Sequence, residues 1–214
     1  YKHKNSNVSK LDYAIYLSAA LAYMIIKQQD NVGLVTFDNT VTQYHRPKST
    51  LKQLAQIITA LEDTTQSKAS DFTLALPQIL KLFKHKGLII LFSDFLGDTE
   101  AALKSLAMMR GKKHDIIVFH VLDQAEIDLP FDDLTEFVDI ENTATTVTAK
   151  AGDIRDQYKK EIQNFTQYLQ NECENMGVSY LQLSTTEPFD KALEQFLLKR
   201  KRCFWHFFQK VSDS

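Results

Sequence analysis

The sequence has few of the residues on which several protein classes depend. Among 214 residues there are two cysteines, six glycines and four prolines, which excludes a disulfide-rich scaffold, a collagen-like chain and a Pro/Gly-rich disordered segment. Cys173 and Cys203 show no CxxC or Cys/His spacing, so they predict free thiols and no zinc site. The longest apolar stretch, 15–26, is shorter than the roughly 20 residues of a membrane-spanning helix. It predicts a buried helix and no membrane span.

The sequence also has no large excess of charge of either sign. Lys plus Arg number 25 and Asp plus Glu number 27, a formal net charge of −2, so no overall field attracts nucleic acid or an anionic membrane. Free thiols, together with the lack of a visible secretory signal, predict a cytoplasmic location. With 44% hydrophobic residues, a chain of this length buries roughly 70% of its unfolded surface. The composition therefore favours a soluble globular domain.

The apolar pattern predicts an α/β fold. Two continuous apolar runs, 88–92 and 115–122, are typical of parallel strands that helices cover on both faces, and the first is expected at the centre of the sheet. Further strands are predicted at 32–37, 41–44 and 178–183. Helical periodicity is present at 9–28, 49–62, 72–83, 99–111, 153–176 and 188–201. This alternation predicts a doubly wound, mainly parallel, Rossmann-like sheet flanked by helices.

Two further segments complete the predicted organisation. Residues 32–44 are expected to form a hairpin at a sheet edge, and alternating pieces around 135–148 predict an inserted β-hairpin. Ser9 and Asp12 resemble a capping box at the start of the first helix. Thr99 is expected to cap another helix, and Pro77 to kink its helix or to mark that helix's first turn.

The order of elements begins on a helix that is too apolar for a surface position. A doubly wound sheet starts with a central strand, so a strand is expected directly before Tyr1. We therefore predict one N-terminally truncated domain over 1–202 and a C-terminal tail over 203–214. The gap left beside 32–37 and 88–92 would expose sheet edges, which predicts possible self-association.

Several blocks of the sequence occur in the order found in a known bacterial family. They are SKLDYAIYLSAALAY, DNVGLVTFD, SDFTLALPQIL, GLIILFSDF, HDIIVFHVLDQAEIDLPF, FVDIE, YKKEIQNF and YLQLSTTEPFDKALEQFLLKR. With these blocks, which cover about residues 8–202, the chain resembles the von Willebrand factor A-like domain of the family called domain of unknown function 58. The resemblance implies a binding or assembly module that is a partner of a MoxR-type AAA+ ATPase, and not an enzyme.

The resemblance also implies a metal site of the adhesion type. Domains of this type hold a divalent cation with an Asp-x-Ser-x-Ser motif, a Thr or Ser from a second loop and an Asp from a third. By pattern, Asp94 matches the third-loop aspartate and Ser70 stands at the second-loop position. No Asp-x-Ser-x-Ser occurs in the sequence; its expected place is before Tyr1. Mg²⁺ is therefore possible in the complete protein and is expected to bind weakly or not at all here.

Plainer interpretations of the same residues stay open. Asp94 could cap a turn, Ser70 could cap the next helix, and the residues Asp123 and Glu126 are expected in a turn near the site. His120 has no matched acid or nucleophile nearby in sequence, so a structural role is favoured. The tail at 199–208, basic and then aromatic, could bind a membrane interface or a partner groove, or simply be a frayed helix end.

Two other functions compete with the interaction module. One is a small α/β hydrolase or nucleotide-using enzyme, which the absence of GxGxxG, GxxxxGK[ST] and GxSxG disfavours. The other is a structural remnant without metal.

Overall fold

A computed structural model describes residues 8–65, 72–129, 134–138 and 146–198. Its helices are α1 (Lys10–Lys27), α2 (Leu51–Glu62), α3 (Phe72–Leu82), α4 (Thr99–Gly111), α5 (Gln124–Asp128), α6 (Ala151–Asn175) and α7 (189–198). Its strands are β1 (Val32–Phe37), β2 (Val41–Lys48), β3 (Leu88–Ser93), β4 (Asp115–Leu122), β5 (Leu134–Val138), β6 (Thr146–Lys150) and β7 (Ser179–Ser184). The predicted ligand Ser70 and the predicted tail at 203–214 lie outside the described residues.

A parallel sheet with the strand order β3-β4-β7 forms the centre of the fold. Its register pairs Leu88 with Asp115 and Ile117 with Ser179. Successive side chains of β4 point to opposite faces of the sheet, and both faces are covered. Ile116 and Val118 pack in a core with α3, α4 and α6, whereas Phe119 packs in a second core with α1 and α7. The predicted α/β class, a parallel sheet flanked by helices, is thereby confirmed.

The position of β3 differs from the prediction. We expected this strand at the centre of the sheet, but β4 takes that place and β3 is the edge strand of the three. The reason is that β1 and β2 pair only with each other in the described part of the chain, as an antiparallel two-stranded sheet. Their hairpin is as predicted, but it does not continue the parallel sheet. A cleft lined by β1 and β3 lies between the two sheets.

The inserted hairpin is confirmed with a small shift along the chain. β5 and β6 are antiparallel, with Leu134 opposite Lys150 and Val138 opposite Thr146. Residues 139–145, which connect the two strands, lie outside the described residues.

Local signals at the helix ends are partly confirmed. The Ser9 side chain accepts from the backbone N–H of Asp12, and the Asp12 carboxylate accepts from the backbone N–H of Ser9, so the predicted capping box is present. At α4 the N-cap is Asp98 instead of Thr99, because its carboxylate accepts from the Ala101 N–H. Pro77 lies inside α3, since that helix begins at Phe72. These differences move helix ends by a few residues and leave the order of elements unchanged.

Candidate functional site

Polar side chains gather where the three parallel strands end. β3, β4 and β7 run in one direction, so their carboxyl ends meet at one edge of the sheet. Asp94 directly follows β3, Asp123 directly follows β4 and Thr185 directly follows β7. We call this region the carboxyl edge.

Lys10, the first residue of α1, joins two carboxylates at the carboxyl edge. Its Nζ donates to Oδ2 of Asp94 at 2.8 Å and to Oε1 of Glu126 at 2.7 Å. The Lys10 side chain is 11% exposed, that of Glu126 18% and that of Asp94 39%. We call these three residues the Lys10 cluster. It ties α1 to the loop after β3 and to α5.

Burial and neighbouring charges shift the pKa values of Lys10 and Asp94. Burial acts to lower the pKa of Lys10, but the charges of Asp94 and Glu126 outweigh burial and raise that pKa above its usual value. Burial likewise acts to raise the pKa of Asp94, but the Lys10 ammonium beside it, with the hydrogen bonds that Asp94 accepts, lowers it below the usual value. Both groups are therefore held in their charged forms at neutral pH.

A buried histidine positions the backbone of Asp94. Nε2 of His120 lies 3.0 Å from the Asp94 carbonyl oxygen, and Nδ1 lies 2.5 Å from the Tyr180 hydroxyl. Because a carbonyl oxygen can only accept, Nε2 carries the proton and Nδ1 accepts from Tyr180. Burial lowers the pKa of His120 to about 4, although its bond to Asp94 acts in the other direction. His120 is thus a neutral positioning residue, which agrees with the structural role favoured from the sequence.

The segment after β4 forms a short helix where a turn was expected. The Asp123 carboxylate accepts from the Ala125 N–H at 2.9 Å, and the Glu126 carboxylate accepts from the Asp123 N–H at 2.8 Å, a second capping box. The other oxygen of Glu126 accepts from Lys10. Gln124 extends the network to β7, since its side-chain oxygen accepts from Ser184 at 2.8 Å and from Thr186 at 3.2 Å.

Of the two predicted metal ligands, Asp94 lies in the described part of the chain and Ser70 does not. Asp94 lies at the carboxyl edge, as expected, while Ser70 is not among the described residues. Within the described ranges, no group of three or more His, Cys, Asp and Glu side chains could hold a metal ion. Asp94 is instead paired with an ammonium group. The assignment of Ser70 and Asp94 as metal ligands stays a prediction.

Sequence reasoning did not find Lys10 and assigned Glu126 only to a turn. Each had a usable signal: Lys10 follows an N-cap, and Glu126 stands three residues after Asp123, at the end of a parallel strand. What could not be deduced is their contact, because Lys10 lies 84 residues from Asp94 and 116 residues from Glu126 in the chain.

Comparison with known proteins gives a family and a fold. The family described as "Protein of unknown function DUF58" matches residues 2–167. No curated protein matches the chain. The fold is similar to that of the conserved hypothetical protein BatB from Bacteroides thetaiotaomicron, with 15% identity, a TM-score of 0.59 and coverage of 93% of this chain and 92% of that one.

A second solved structure has the same fold. It is an aerotolerance-related membrane protein from Bacteroides fragilis NCTC 9343, crystallised with multiple mutations to serines, with 11% identity and a TM-score of 0.55. The match covers 86% of this chain and 85% of that protein. At such identities the two structures show the architecture alone.

The predicted cytoplasmic location is wrong. The Bacteroides fragilis protein that shares this fold is described as a membrane protein. The prediction was based on free thiols and the lack of a visible secretory signal. Neither feature determines whether a domain of this fold belongs to a membrane protein. None of the described helices has the length and apolar character that a bilayer crossing needs.

Proposed function

The chain belongs to the DUF58 family of proteins of unknown function, and we propose that it acts as a non-enzymatic protein-interaction module. The Lys10 cluster supports this proposal. It gathers three charged side chains from separate elements at the carboxyl edge, where α/β folds bind their ligands. Lys10 and Asp94 hold each other in their charged forms, and the neighbouring His120 is neutral and bound on both ring nitrogens. Fixed charges of this kind favour recognition of a partner over proton transfer.

The finer part of the proposal is a domain of von Willebrand factor A type that binds a MoxR-type AAA+ ATPase. The family resemblance implies both. In support, an aspartate follows β3 and helices cover both faces of the parallel sheet. The surface proposed for the partner is the carboxyl edge around Asp94, whose side chain is the most exposed of the Lys10 cluster.

For the metal we propose weak binding. Ser70 and Asp94 would hold Mg²⁺, which when bound offers an open position to a carboxylate of the partner. The donor set in the described residues fits the ion poorly, because the Lys10 ammonium already neutralises the Asp94 carboxylate at 2.8 Å. Mg²⁺ also gives up its water reluctantly and needs several fixed oxygens. We therefore propose that the partner's contact with the carboxyl edge depends little on Mg²⁺.

Binding to a purified MoxR-type ATPase, measured by calorimetry with and without Mg²⁺, tests the proposal. Asp94→Asn removes the exposed charge, and we expect binding to weaken by about tenfold, the effect of about 1.4 kcal/mol. Glu174→Gln is the matched control, because Glu174 is an exposed carboxylate near the end of α6, at the opposite edge of the parallel sheet from Asp94. Circular dichroism shows whether each variant is folded.

Three results would contradict the proposal. They are an absence of binding by the unaltered chain, equal affinities for the Asp94 and Glu174 variants, and turnover of ester or nucleotide substrates that the unaltered chain shows and purified Asp94→Asn lacks. Tight Mg²⁺ binding by the chain alone would contradict only the statement about the metal.

A further inference from the structure

Exposed lysines gather at the edge of the parallel sheet where its strands begin, which we call the amino edge. Lys84 and Lys86 lie just before β3, and Lys112 and Lys113 lie just before β4. Lys81 lies in the last turn of α3. All five lysines are exposed to solvent. We call these five residues the basic patch.

The two lysine segments are neighbours in the fold. The Asp115 N–H donates to the Gly87 carbonyl oxygen at 3.1 Å, and Leu88 is opposite Asp115 in the register of β3 and β4. The Lys112 ammonium reaches back to α3, where it donates to the Leu80 carbonyl oxygen at 3.0 Å. The lysines before β3, before β4 and at the end of α3 therefore form one surface.

Carboxylates do not neutralise the basic patch. In the part of the chain that the structure describes, none of its five lysines forms an ion pair with a carboxylate. Asp115, the acid beside the patch, is paired with Arg110 at 3.1 Å. Glu172 and Glu174 lie at the end of α6, next to β7 and on the other side of β4 from β3. The basic patch is thus a local excess of positive charge that the net charge of −2 conceals.

Helix ends explain only part of this arrangement. Cations are favourable at a helix C-terminus, which accounts for Lys81 at the end of α3 and for Lys112, the C-cap of α4. Lys84 and Lys86 lie beyond the end of α3. Lys113 has a φ of 66°, a conformation in which glycine or asparagine is less strained. Lysine at these three positions is not explained by helix stability, and it fits a role in binding.

The opposite edge of the sheet carries exposed acids. Asp98 and Glu100 are exposed at the start of α4, and Asp94 is partly exposed in the Lys10 cluster. The two edges are separated by the length of β4, which has eight residues and is therefore about 26 Å long. This is about three times the distance over which physiological salt screens a charge. An anionic surface at the amino edge is therefore attracted by the basic patch and repelled little by the acids.

Apolar side chains accompany the basic patch. Leu88, between its two lysine segments, is 39% exposed. α7 follows the carboxyl end of β7 and returns along the sheet, since Phe196 near its end packs on Phe119 of β4. Its last described residue, Leu198, is exposed. The sequence continues at 199–208 as KRKRCFWHFF, and basic residues followed by Trp and Phe are typical of segments that bind the surface of a bilayer.

We infer that the basic patch binds the surface of an anionic lipid bilayer, with the segment at 199–208 as a second point of attachment. Stable binding to a bilayer needs two such attachments. A bilayer fits better than a nucleic acid, because the exposed side chains of Leu88 and Leu198 can enter a headgroup layer and gain nothing from a phosphate backbone.

The inference goes beyond the proposed function and does not depend on it, because no residue of the Lys10 cluster belongs to the basic patch. With the amino edge on the bilayer, the carboxyl edge faces away from it. The surface proposed for the protein partner around Asp94 then stays accessible.

Flotation of the full chain with lipid vesicles tests the inference. Vesicles of phosphatidylglycerol and phosphatidylcholine should bind the chain, and vesicles of phosphatidylcholine alone should not. Each lysine near an anionic surface strengthens binding about fivefold, so the double variant Lys84→Glu, Lys86→Glu should weaken binding by at least about 25-fold. Circular dichroism shows whether each variant is folded.

The double variant Lys160→Glu, Lys191→Glu is the matched control. It changes the charge by the same amount at exposed positions, in the first half of α6 and at the start of α7, away from the amino edge. Because salt screens charges over about 10 Å, it should weaken vesicle binding by less than about threefold.

Trp205 reports on the second attachment, because it is the one tryptophan of the sequence. Its fluorescence emission should shift to shorter wavelength with the anionic vesicles, since its ring moves from water into the headgroup layer. An unshifted emission from vesicle-bound protein would overturn the part assigned to 199–208.

Three results would overturn the inference about the basic patch. They are equal binding to anionic and neutral vesicles or binding to neither, equal losses for the two double variants, and tighter binding of single-stranded RNA than of anionic vesicles at the same salt concentration. The last result would assign the basic patch to a nucleic acid. None of these measurements uses the ATPase or Asp94→Asn, so their failure is distinguishable from a failure of the proposed function.

Discussion

β3 and β4 are neighbouring strands of similar composition and very different burial. In β4, Ile117, Val118 and Phe119 are 0% exposed. In β3, only Leu91 is buried, and Leu88 is 39% exposed. β4 has a strand on each side, whereas β3 has one neighbour and a cleft. The burial of an apolar strand is thus set by its neighbours, and β3 carries apolar surface that the described elements do not cover.

The largest expected difference between the two strands is in side-chain truncation. The rings of Phe92 in β3 and Phe119 in β4 are stacked, with centroids 4.9 Å apart. Phe119→Ala should lower the free energy of unfolding by about 3–5 kcal/mol, the usual cost of emptying a closed core site. Phe92→Ala should cost less than half as much, because Phe92 is partly exposed beside the cleft. Urea denaturation measures both.

Phe119→Leu provides a milder version if Phe119→Ala does not fold. Equal losses for the variants at 92 and 119 would show that β3 is as well covered as β4, and would break the comparison.

The next largest effect is the pH dependence caused by His120 of β4. Its pKa is about 4 in the folded protein against an ordinary value of 6.5, so between these pH values the unfolded chain binds more protons. Stability therefore falls as the pH falls through this window. We expect His120 to contribute a loss of about 3 kcal/mol from about pH 7.5 to about pH 4.

His120→Gln separates this contribution from that of the carboxylates. Denaturation of this variant should depend less steeply on pH over the same window than that of the unaltered chain. A His120 imidazole that titrates near 6.5 by NMR would contradict the burial of this end of β4.

A smaller effect on the free energy of unfolding is expected from the Lys10 cluster, at the end of β3. Lys10→Met leaves two carboxylates together without their ammonium group, and we expect a loss of about 2 kcal/mol. It should also raise the pKa of Asp94, so that the part of the stability loss on acidification that comes from this carboxylate becomes smaller. Lys104→Met is the control, because the Lys104 side chain is 76% exposed in its pair with Glu100 and should change stability by less than about 0.5 kcal/mol. Equal effects of the two variants on stability would show that the Lys10 cluster contributes no more than an exposed ion pair.

The smallest effect concerns the helix that forms one wall of the cleft. Ser9→Ala removes the N-cap of α1 and should cost about 1 kcal/mol in thermal or urea denaturation. Thr59→Ala, at an exposed position of α2, should be close to neutral. A neutral Ser9 variant would indicate that α1 is held by its packing alone.

Local patterns in the sequence predicted most of the elements. The bounds of β4 were predicted correctly because both of its faces are buried, and the Ser9–Asp12 box marked the start of α1. The predicted central position of β3 was wrong. A continuous apolar run indicates a strand covered on both faces, but it does not show which strands lie beside it. At the site, Asp94 was predicted from the family resemblance, which matched it to an aspartate that follows a strand. Lys10 and Glu126 did not, because their contact depends on how distant segments pack.

Amide hydrogen exchange along β3 and β4 tests most directly whether β3 faces an open cleft. In a parallel sheet, the amides of successive residues point to opposite neighbours. Every amide from Ile117 to Val121 should therefore exchange slowly, whereas β3 should show slow exchange only at every second residue, with the amides on the cleft side exchanging fast. Uniformly slow exchange along β3 in the monomer would contradict an open cleft between β1 and β3.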